Sequence, residues 1–239
     1  MIPILCFHHA GGSGASFLSW RKVDAPDIEI IPISLPTTRP ITGRRSYTSA
    51  TALVEHVLTK HATTLRKSHV LYGHSMGGLL AYLLARRLNA TSEYANPAAL
   101  IVAASWCPRL RPSVDIDHMD DAELIALLEQ IGGIPAALTD RPEWLYPMLP
   151  IVRDDLRMCH QYRHDHTDDS LNIPIYVIGA RDDRLVSGEQ IEGWSDMGTR
   201  VSIEYQSGGH FFDADPQQLC ERTFALARAA VDEAQLGLT

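Results

Sequence analysis

Ser68-His69-Val70-Leu71-Tyr72-Gly73-His74-Ser75-Met76-Gly77-Gly78-Leu79-Leu80 sets a strand-like run ahead of a glycine-flanked serine and opens a helix-like run that continues to Leu88. This is the strand, turn and helix setting of a nucleophile elbow. A sharp turn holds the serine in strained backbone geometry, and the glycines two residues to either side let strand and helix pack closely while the hydroxyl projects upward. Bare G-x-S-x-G also arises by chance, and a glycine-rich turn with an ordinary serine is the bland alternative. Here acidic and histidine partners follow in the order Ser, Asp, His, which makes Ser75 the candidate nucleophile.

Outward from the elbow, short β-rich runs alternate with helical patterns. Ile2–Phe7, Ile28–Ile33, His69–Tyr72, Leu100–Ala104, Ile175–Ile178 and Val201–Tyr205 are the expected strands. Several are continuously apolar, as strands covered on both faces are. Ala50, Leu53, Val54, Val57, Leu58 and Leu65 repeat at helical spacing and can cover one face of a sheet. The last helix is expected to start at an Asp215 cap with Pro216 in its first turn, and to set Leu219, Cys220, Phe224, Ala227 and Val231 along one side. The grammar is α/β: a doubly wound, mainly parallel sheet with functional loops at the carboxyl ends of its strands.

The segment from about Pro108 to Thr167 breaks the alternation. Met119–Ile131 has helical spacing begun by Asp120 and Asp121, Gly132-Gly133 stops it, and prolines at 135, 142, 147 and 150 are expected to cut the adjoining stretch into short pieces. A second helix is expected over Ile151–Tyr162. An insertion between two strands at the active face sits where a lid belongs, within one domain spanning residues 1–239. Its apolar residues Met119, Leu127, Ile131, Trp144 and Leu149, with Trp106 just ahead of it, are expected to line a substrate pocket.

The chain has 239 residues, 45% of them hydrophobic, which suits one α/β domain with a substantial core. Its 29 acidic against 21 basic side chains give a net charge of −8, which disfavours nucleic acid and anionic membrane surfaces. No apolar run approaches the roughly 18 residues of a membrane span, and the start lacks the basic region of a signal peptide. Cys6, Cys107, Cys159 and Cys220 show no C-x-x-C spacing and fall mostly in apolar patterns, which favours a reducing cytoplasm.

A serine hydroxyl needs a neutral imidazole to take its proton, and a carboxylate to hold that imidazole in the right tautomer. Of eleven histidines, His210 is the candidate base, because Ser207-Gly208-Gly209-His210-Phe211-Phe212 is a glycine-rich loop between a strand and the final helix. His56, His61 and His69 fall in helical or strand patterns and are expected to pack or face solvent. His164 and His166 with Asp165, Asp168 and Asp169 match no zinc spacing and are expected to be a polar linker; no metal or cofactor is implied. The acid should follow strand Ile175–Ile178, where Asp182 and Asp183 stand side by side and local pattern does not choose between them. The N–H of Met76 is one expected oxyanion donor, and His8-His9-Ala10-Gly11-Gly12-Ser13-Gly14, leaving the first strand, is expected to supply the other.

Further segments carry a family likeness: Phe7 to Ser13, Gly73 to Gly78, Asp120-Asp121-Ala122-Glu123-Leu124, Gly132-Gly133-Ile134-Pro135, Leu149-Pro150-Ile151-Val152-Arg153-Asp154-Asp155, and Gly208 to Phe212. Together they resemble, over nearly the whole length, the type II thioesterases, stand-alone α/β-hydrolases that accompany nonribosomal peptide and polyketide synthases. The resemblance implies Asp183 as the acid, since the family's Asp, Val-Ser and Trp correspond to Asp183, Val186-Ser187 and Trp194. Ala10 is then the second oxyanion donor beside Met76. Two departures stand out: His8 replaces the family's usual proline, and Leu35-Pro36-Thr37-Thr38-Arg39 replaces a Pro-Gly-Arg stretch.

The resemblance implies hydrolysis of acyl or aminoacyl thioesters from the phosphopantetheine arm of an acyl- or peptidyl-carrier protein, an editing role with no cofactor of its own. An acyltransferase or carboxylesterase using the same three residues is the nearest rival, and a noncatalytic carrier-binding protein is the rival from another class. Such carriers are commonly acidic, so Arg39, Arg44, Arg45, Arg109 and Arg111 are expected to form local basic docking points, with solvated surface arginines as the alternative.

Overall fold

The computed structural model of the chain describes residues 1–36, 49–110, 112, 114, 116–134, 138, 142–165 and 170–237. Among these, β1 (Ile2–Phe7) leads to β2 (Ile28–Pro32), then α1 (Ala50–Lys60), α2 (Ala62–Leu65), β3 (Val70–His74), α3 (Met76–Asn89) and β4 (Ala99–Ala103). After α4 (Asp121–Gln130) and α5 (Leu149–Gln161) come β5 (Leu171–Ala180), α6 (Gly188–Glu192), β6 (Gly198–Gln206) and α7 (Pro216–Leu236). The strands form one sheet in the order β2-β1-β3-β4-β5-β6, and each neighbouring pair is parallel. The fold is α/β, as the alternation of apolar runs predicts.

Both faces of the sheet are covered, which explains the unbroken apolar strands. Leu5 and Phe7 of β1 join the cluster under α1 and α3, whereas Ile4 and Cys6 join Tyr72, Phe224 and Ala227 under α7. The sheet reverses its winding between β1 and β3. That switch point opens a crevice above the strand ends, where the His8–Gly14 loop and Ser75 both emerge. β5 is longer than its apolar run suggests. Pro174, which cannot donate to a ladder, sits at the register shift between Leu171 and Pro174.

The insertion between β4 and β5 is anchored by α5. Met158 and Cys159 join the main core, while Leu149 and Val152 pack with Ile116 and Leu124 in a separate small cluster. Pro150 does not cut the chain here: it lies in the first turn of α5, where a missing N–H costs nothing. α4 begins at Asp121 rather than Met119, because Asp120 caps it reciprocally with Glu123. Arg153 of α5 donates to the carbonyls of Ile116 and Met119 at 3.2 and 2.6 Å and pairs with Asp121, binding the two parts of the insertion together. Among the described residues no helix is long and apolar enough to cross a membrane, and all four cysteines are free and buried.

Candidate active site

Ser75 has φ 56° and ψ −120° between the end of β3 and the start of α3, a region that non-glycine residues rarely occupy. The strain is held by close packing on both sides. A Cβ on Gly77 would collide with the Phe7 carbonyl, and one on Gly73 with the backbone of Gly77, so glycine is required for strand and helix to meet at this distance. The Ser75 amide also donates to the Ala103 carbonyl of β4 at 2.9 Å. The turn thus raises the hydroxyl above the sheet at the switch point.

His210 comes over from the loop after β6. With its proton on Nδ1, it donates to Asp183 Oδ2 at 2.8 Å while Nε2 accepts from Ser75 Oγ at 2.9 Å. The His210 and Asp183 side chains are almost wholly buried. Burial pushes the Asp183 carboxyl upward, but the hydrogen bond and charge of His210 and the amides of Val186 and Leu185 together outweigh it and leave its pKa below the ordinary value. Those amides donate to Oδ1 at 3.0 and 2.8 Å. Asp182 is exposed, and its amide donates to Gly208, steadying the histidine loop instead.

The spacing around Asp183 has a physical basis. Val186 supplies one of the amides, Ser187 caps α6 with a reciprocal Gln190 contact, and fully buried Trp194 donates from Nε1 to the Ser105 carbonyl at 2.7 Å. These contacts seat the acid loop against the β4 exit. His74, one residue before the nucleophile, donates from Nε2 to the His210 carbonyl at 2.8 Å, which fixes the backbone under the base. Its own imidazole is held down to about 3, first by burial and then by neighbouring His210, so it is neutral.

Ala10 borders the cavity above Ser75, and Met76 is the first residue of α3, whose N–H has no partner within the helix. The loop bearing Ala10 is braced twice. His8, standing where the resemblance leads one to expect proline, is buried and donates from Nδ1 to the His9 carbonyl at 2.8 Å, which also receives Gly12 N–H at 3.0 Å. Gly11, at φ 72°, donates to Asp155 Oδ2 at 2.8 Å, and a Cβ there would collide with Val152. His9 turns its ring edge-on to His74 and Phe211.

A cavity of about 30 Å³ lies over Ser75 and His210, walled by Leu127, Leu128, Ile131, Val152, Leu156 and Leu185, with His9, Ala10 and Phe211 closing the side. Of the expected pocket residues, Leu127 and Ile131 are therefore at the site. Trp106 is not: it is buried in the main core under α3. Met119 and Leu149 belong to the insertion's own cluster, and Trp144 is 57% exposed. Helical spacing marks which residues share a face but not which face meets the site. Val152, Leu156 and Asp155 were missed, although Val152 and Leu156 stand four apart on α5 beside the carboxylate.

Expected roles elsewhere divide similarly. His69 is buried and bonded through Nδ1 to the Lys67 carbonyl, a packing residue. His164 meets the Tyr82 hydroxyl at 3.2 Å rather than lying in an open linker, whereas His166, Asp168 and Asp169 fall outside the described residues, as does Pro135. Among the expected docking arginines, Arg39, Arg44, Arg45 and Arg111 lie outside them too, with Thr37 and Thr38; Arg109 is half-buried. No group of three metal-ligating side chains occurs among the described residues.

A family model described as thioesterase domain matches residues 2–226. The chain belongs to that family, and it is an enzyme of the thioesterase class on the α/β-hydrolase fold. It is 27% identical over 214 residues to the gramicidin S biosynthesis protein GrsT of Aneurinibacillus migulanus, covering 88% of this chain and 82% of that one. The RedJ thioesterase from the prodiginine pathway of Streptomyces coelicolor superposes with a TM-score of 0.83 at 28% identity, over 96% of this chain and 89% of its own. The type II thioesterase BorB from the borrelidin biosynthetic cluster gives a TM-score of 0.78 at 25% identity, with 97% and 92% covered.

Proposed function

We propose that this enzyme removes acyl or aminoacyl groups from the phosphopantetheine arm of a carrier protein, as an editing thioesterase of nonribosomal peptide or polyketide synthesis, with Ser75, His210 and Asp183 as its catalytic residues. The observation that carries the mechanism is the continuous hydrogen-bonded path from Ser75 Oγ through His210 to Asp183 at 2.9 and 2.8 Å, buried beneath an aliphatic cavity. The kinship with thioesterases of biosynthetic clusters supports the carrier-borne substrate. A reducing cytoplasm, where such synthases work, suits four free buried thiols.

Ser75 Oγ attacks the thioester carbonyl as its proton passes to His210 Nε2, and Asp183 holds the imidazolium that forms. The tetrahedral oxyanion accepts from the N–H groups of Met76 and Ala10, aided by the positive end of α3. Collapse breaks the C–S bond, and the departing sulfur takes the proton from Nε2. Water then loses a proton to the same nitrogen as it attacks the acyl-serine, releasing the carboxylic acid and regenerating Ser75. The insertion acts as a lid. Its leucines, Ile131 and Val152 cover the acyl group and exclude bulk water.

The purified protein, presented with a panel of acyl-carrier thioesters and matched simple oxygen esters, should hydrolyse the carrier thioesters with the higher kcat/KM. Preference for the oxygen esters would make it a carboxylesterase instead. Transfer of the acyl group to an added alcohol or amine in preference to water would make it an acyltransferase.

A further inference from the structure

Behind the catalytic base, on the α7 side of the sheet, lies a chamber of about 140 Å³ that neither Ser75 nor His210 lines. Phe17, Trp20, Tyr72 and Phe211 set rings around it, and His9 and His74 add imidazoles. A groove of about 650 Å³ outside shares Ser19, Trp20 and Pro216 with the chamber and gives it an entrance. The space suits one aromatic ring, since an apolar protein cavity of about 150 Å³ takes up benzene.

Two polar groups on its walls are unused. Tyr72 is 1% exposed, yet its hydroxyl makes no hydrogen bond among the described residues. Folding leaves few buried hydroxyls in that state, because the group has given up water without a replacement. Its ring is fixed, with the Trp20 centroid 4.8 Å away and Phe17 edge-on at 6.0 Å, so the hydroxyl stays where it borders the chamber. His9 packs edge-on to His74 and Phe211, and its imidazole likewise has no hydrogen bond among the described residues.

No charge stands in the chamber. Burial holds the His9 imidazole well below its ordinary pKa and His74 down to about 3, and it pushes the Tyr72 hydroxyl well up, so all three are neutral at pH 7. An ionised ligand would find no counter-charge here; Lys22, Asp24 and Glu221 belong to the groove outside.

We propose that this chamber is a binding site for a small neutral phenol, its ring among Phe17, Trp20 and Phe211 and its hydroxyl hydrogen-bonded to that of Tyr72. Four surrounding rings favour a planar aromatic guest through edge-to-face and offset contacts. The unpartnered Tyr72 hydroxyl selects a guest with a hydroxyl of its own. Occupancy bears on the base without competing for the serine. One wall, His74, donates to the His210 carbonyl at 2.8 Å, and another, Phe211, packs edge-on to His210 with centroids 5.1 Å apart.

Titration of the full chain with 4-fluorophenol and with fluorobenzene, followed by fluorine NMR, tests the site. Wild-type protein should bind both saturably, the phenol more tightly. Tyr72→Phe removes only the hydroxyl and should weaken 4-fluorophenol about three- to tenfold while leaving fluorobenzene within about twofold. Ser19→Trp, at an exposed position on the entrance whose side chain caps nothing, should weaken both probes. Leu127→Phe, which fills the cavity over Ser75 instead, should weaken neither. Lack of saturable binding to wild-type protein overturns the site, and unchanged phenol affinity in Tyr72→Phe overturns the ligand class. Loss of both probes in Leu127→Phe would put the binding in the catalytic cavity and overturn the proposal as well.

Discussion

The amide of Gly11, in the loop that leaves β1, donates to the buried carboxylate of Asp155 on α5 at 2.8 Å, across 144 positions of sequence. One end of this bond lies beside Ala10, a proposed oxyanion donor; the other lies in the insertion that covers the site. A misplacement of about 1 Å in such a donor can cost on the order of a hundredfold in rate. Asp155→Ala should therefore lower kcat about 10- to 100-fold with little change in KM, and weaken a tetrahedral boronate inhibitor in parallel. Equal losses in kcat and thermal stability, with inhibitor affinity kept, would make Asp155 a packing residue.

The two adjacent carboxylates should separate sharply. Asp183→Asn removes the acceptor that holds His210, and turnover should fall on the order of 10⁴-fold in folded protein. Asp182→Asn, at an exposed position, should stay within about threefold of wild type. Steady-state rates on one thioester, with folding checked by circular dichroism, decide it.

Neutral His74 links acid to unfolding. In the folded protein its imidazole binds a proton only near pH 3, against 6.5 for the ordinary side chain, so between these values the unfolded chain binds more protons. Its contribution is complete above pH 6.5 and is lost as pH falls toward 3, a loss on the order of 5 kcal/mol at most. His9, lowered by burial and then by His74, pulls in the same direction. Denaturant titrations at descending pH should show His74→Gln losing less stability than wild type across this window; parallel curves would refute the assignment.

Residues at the cavity should govern acyl selectivity, and those away from it should not. Leu127→Ala or Ile131→Ala enlarges the space over Ser75 and should shift the preferred acyl length upward. Trp144→Ala, on the exposed side of the insertion, should leave the length profile in place. A profile that moved with Trp144 alone would relocate the acyl site.

Legibility followed the range of the interactions. The strands could be read because burial on both faces leaves unbroken apolar runs, Ser75 because its flanking glycines are spaced by steric need, and His210 because its loop turns at Gly208, held at φ 101°. Asp183 could not be told from Asp182 by local pattern. Its distinguishing marks are the later Val186, Ser187 and Trp194, which seat its loop. Asp155 could be placed in a segment of family likeness but given no role, since its partner is 144 positions away. Trp106 and Trp144 were misplaced because periodicity cannot say whether an apolar residue meets the core, the site or solvent.

The central claim is that Ser75 carries the acyl group from carrier to water. Rapid mixing with an acyl-carrier thioester, acid quenching and mass spectrometry of the peptide containing Ser75 should show an acyl adduct on that residue within the first turnover, at an amount approaching one per active site if deacylation is the slower step. Ser75→Ala should carry none and lose turnover by about 10⁴-fold or more. Folded Ser75→Ala protein that still released the acyl group from its carrier at the wild-type rate would contradict the account.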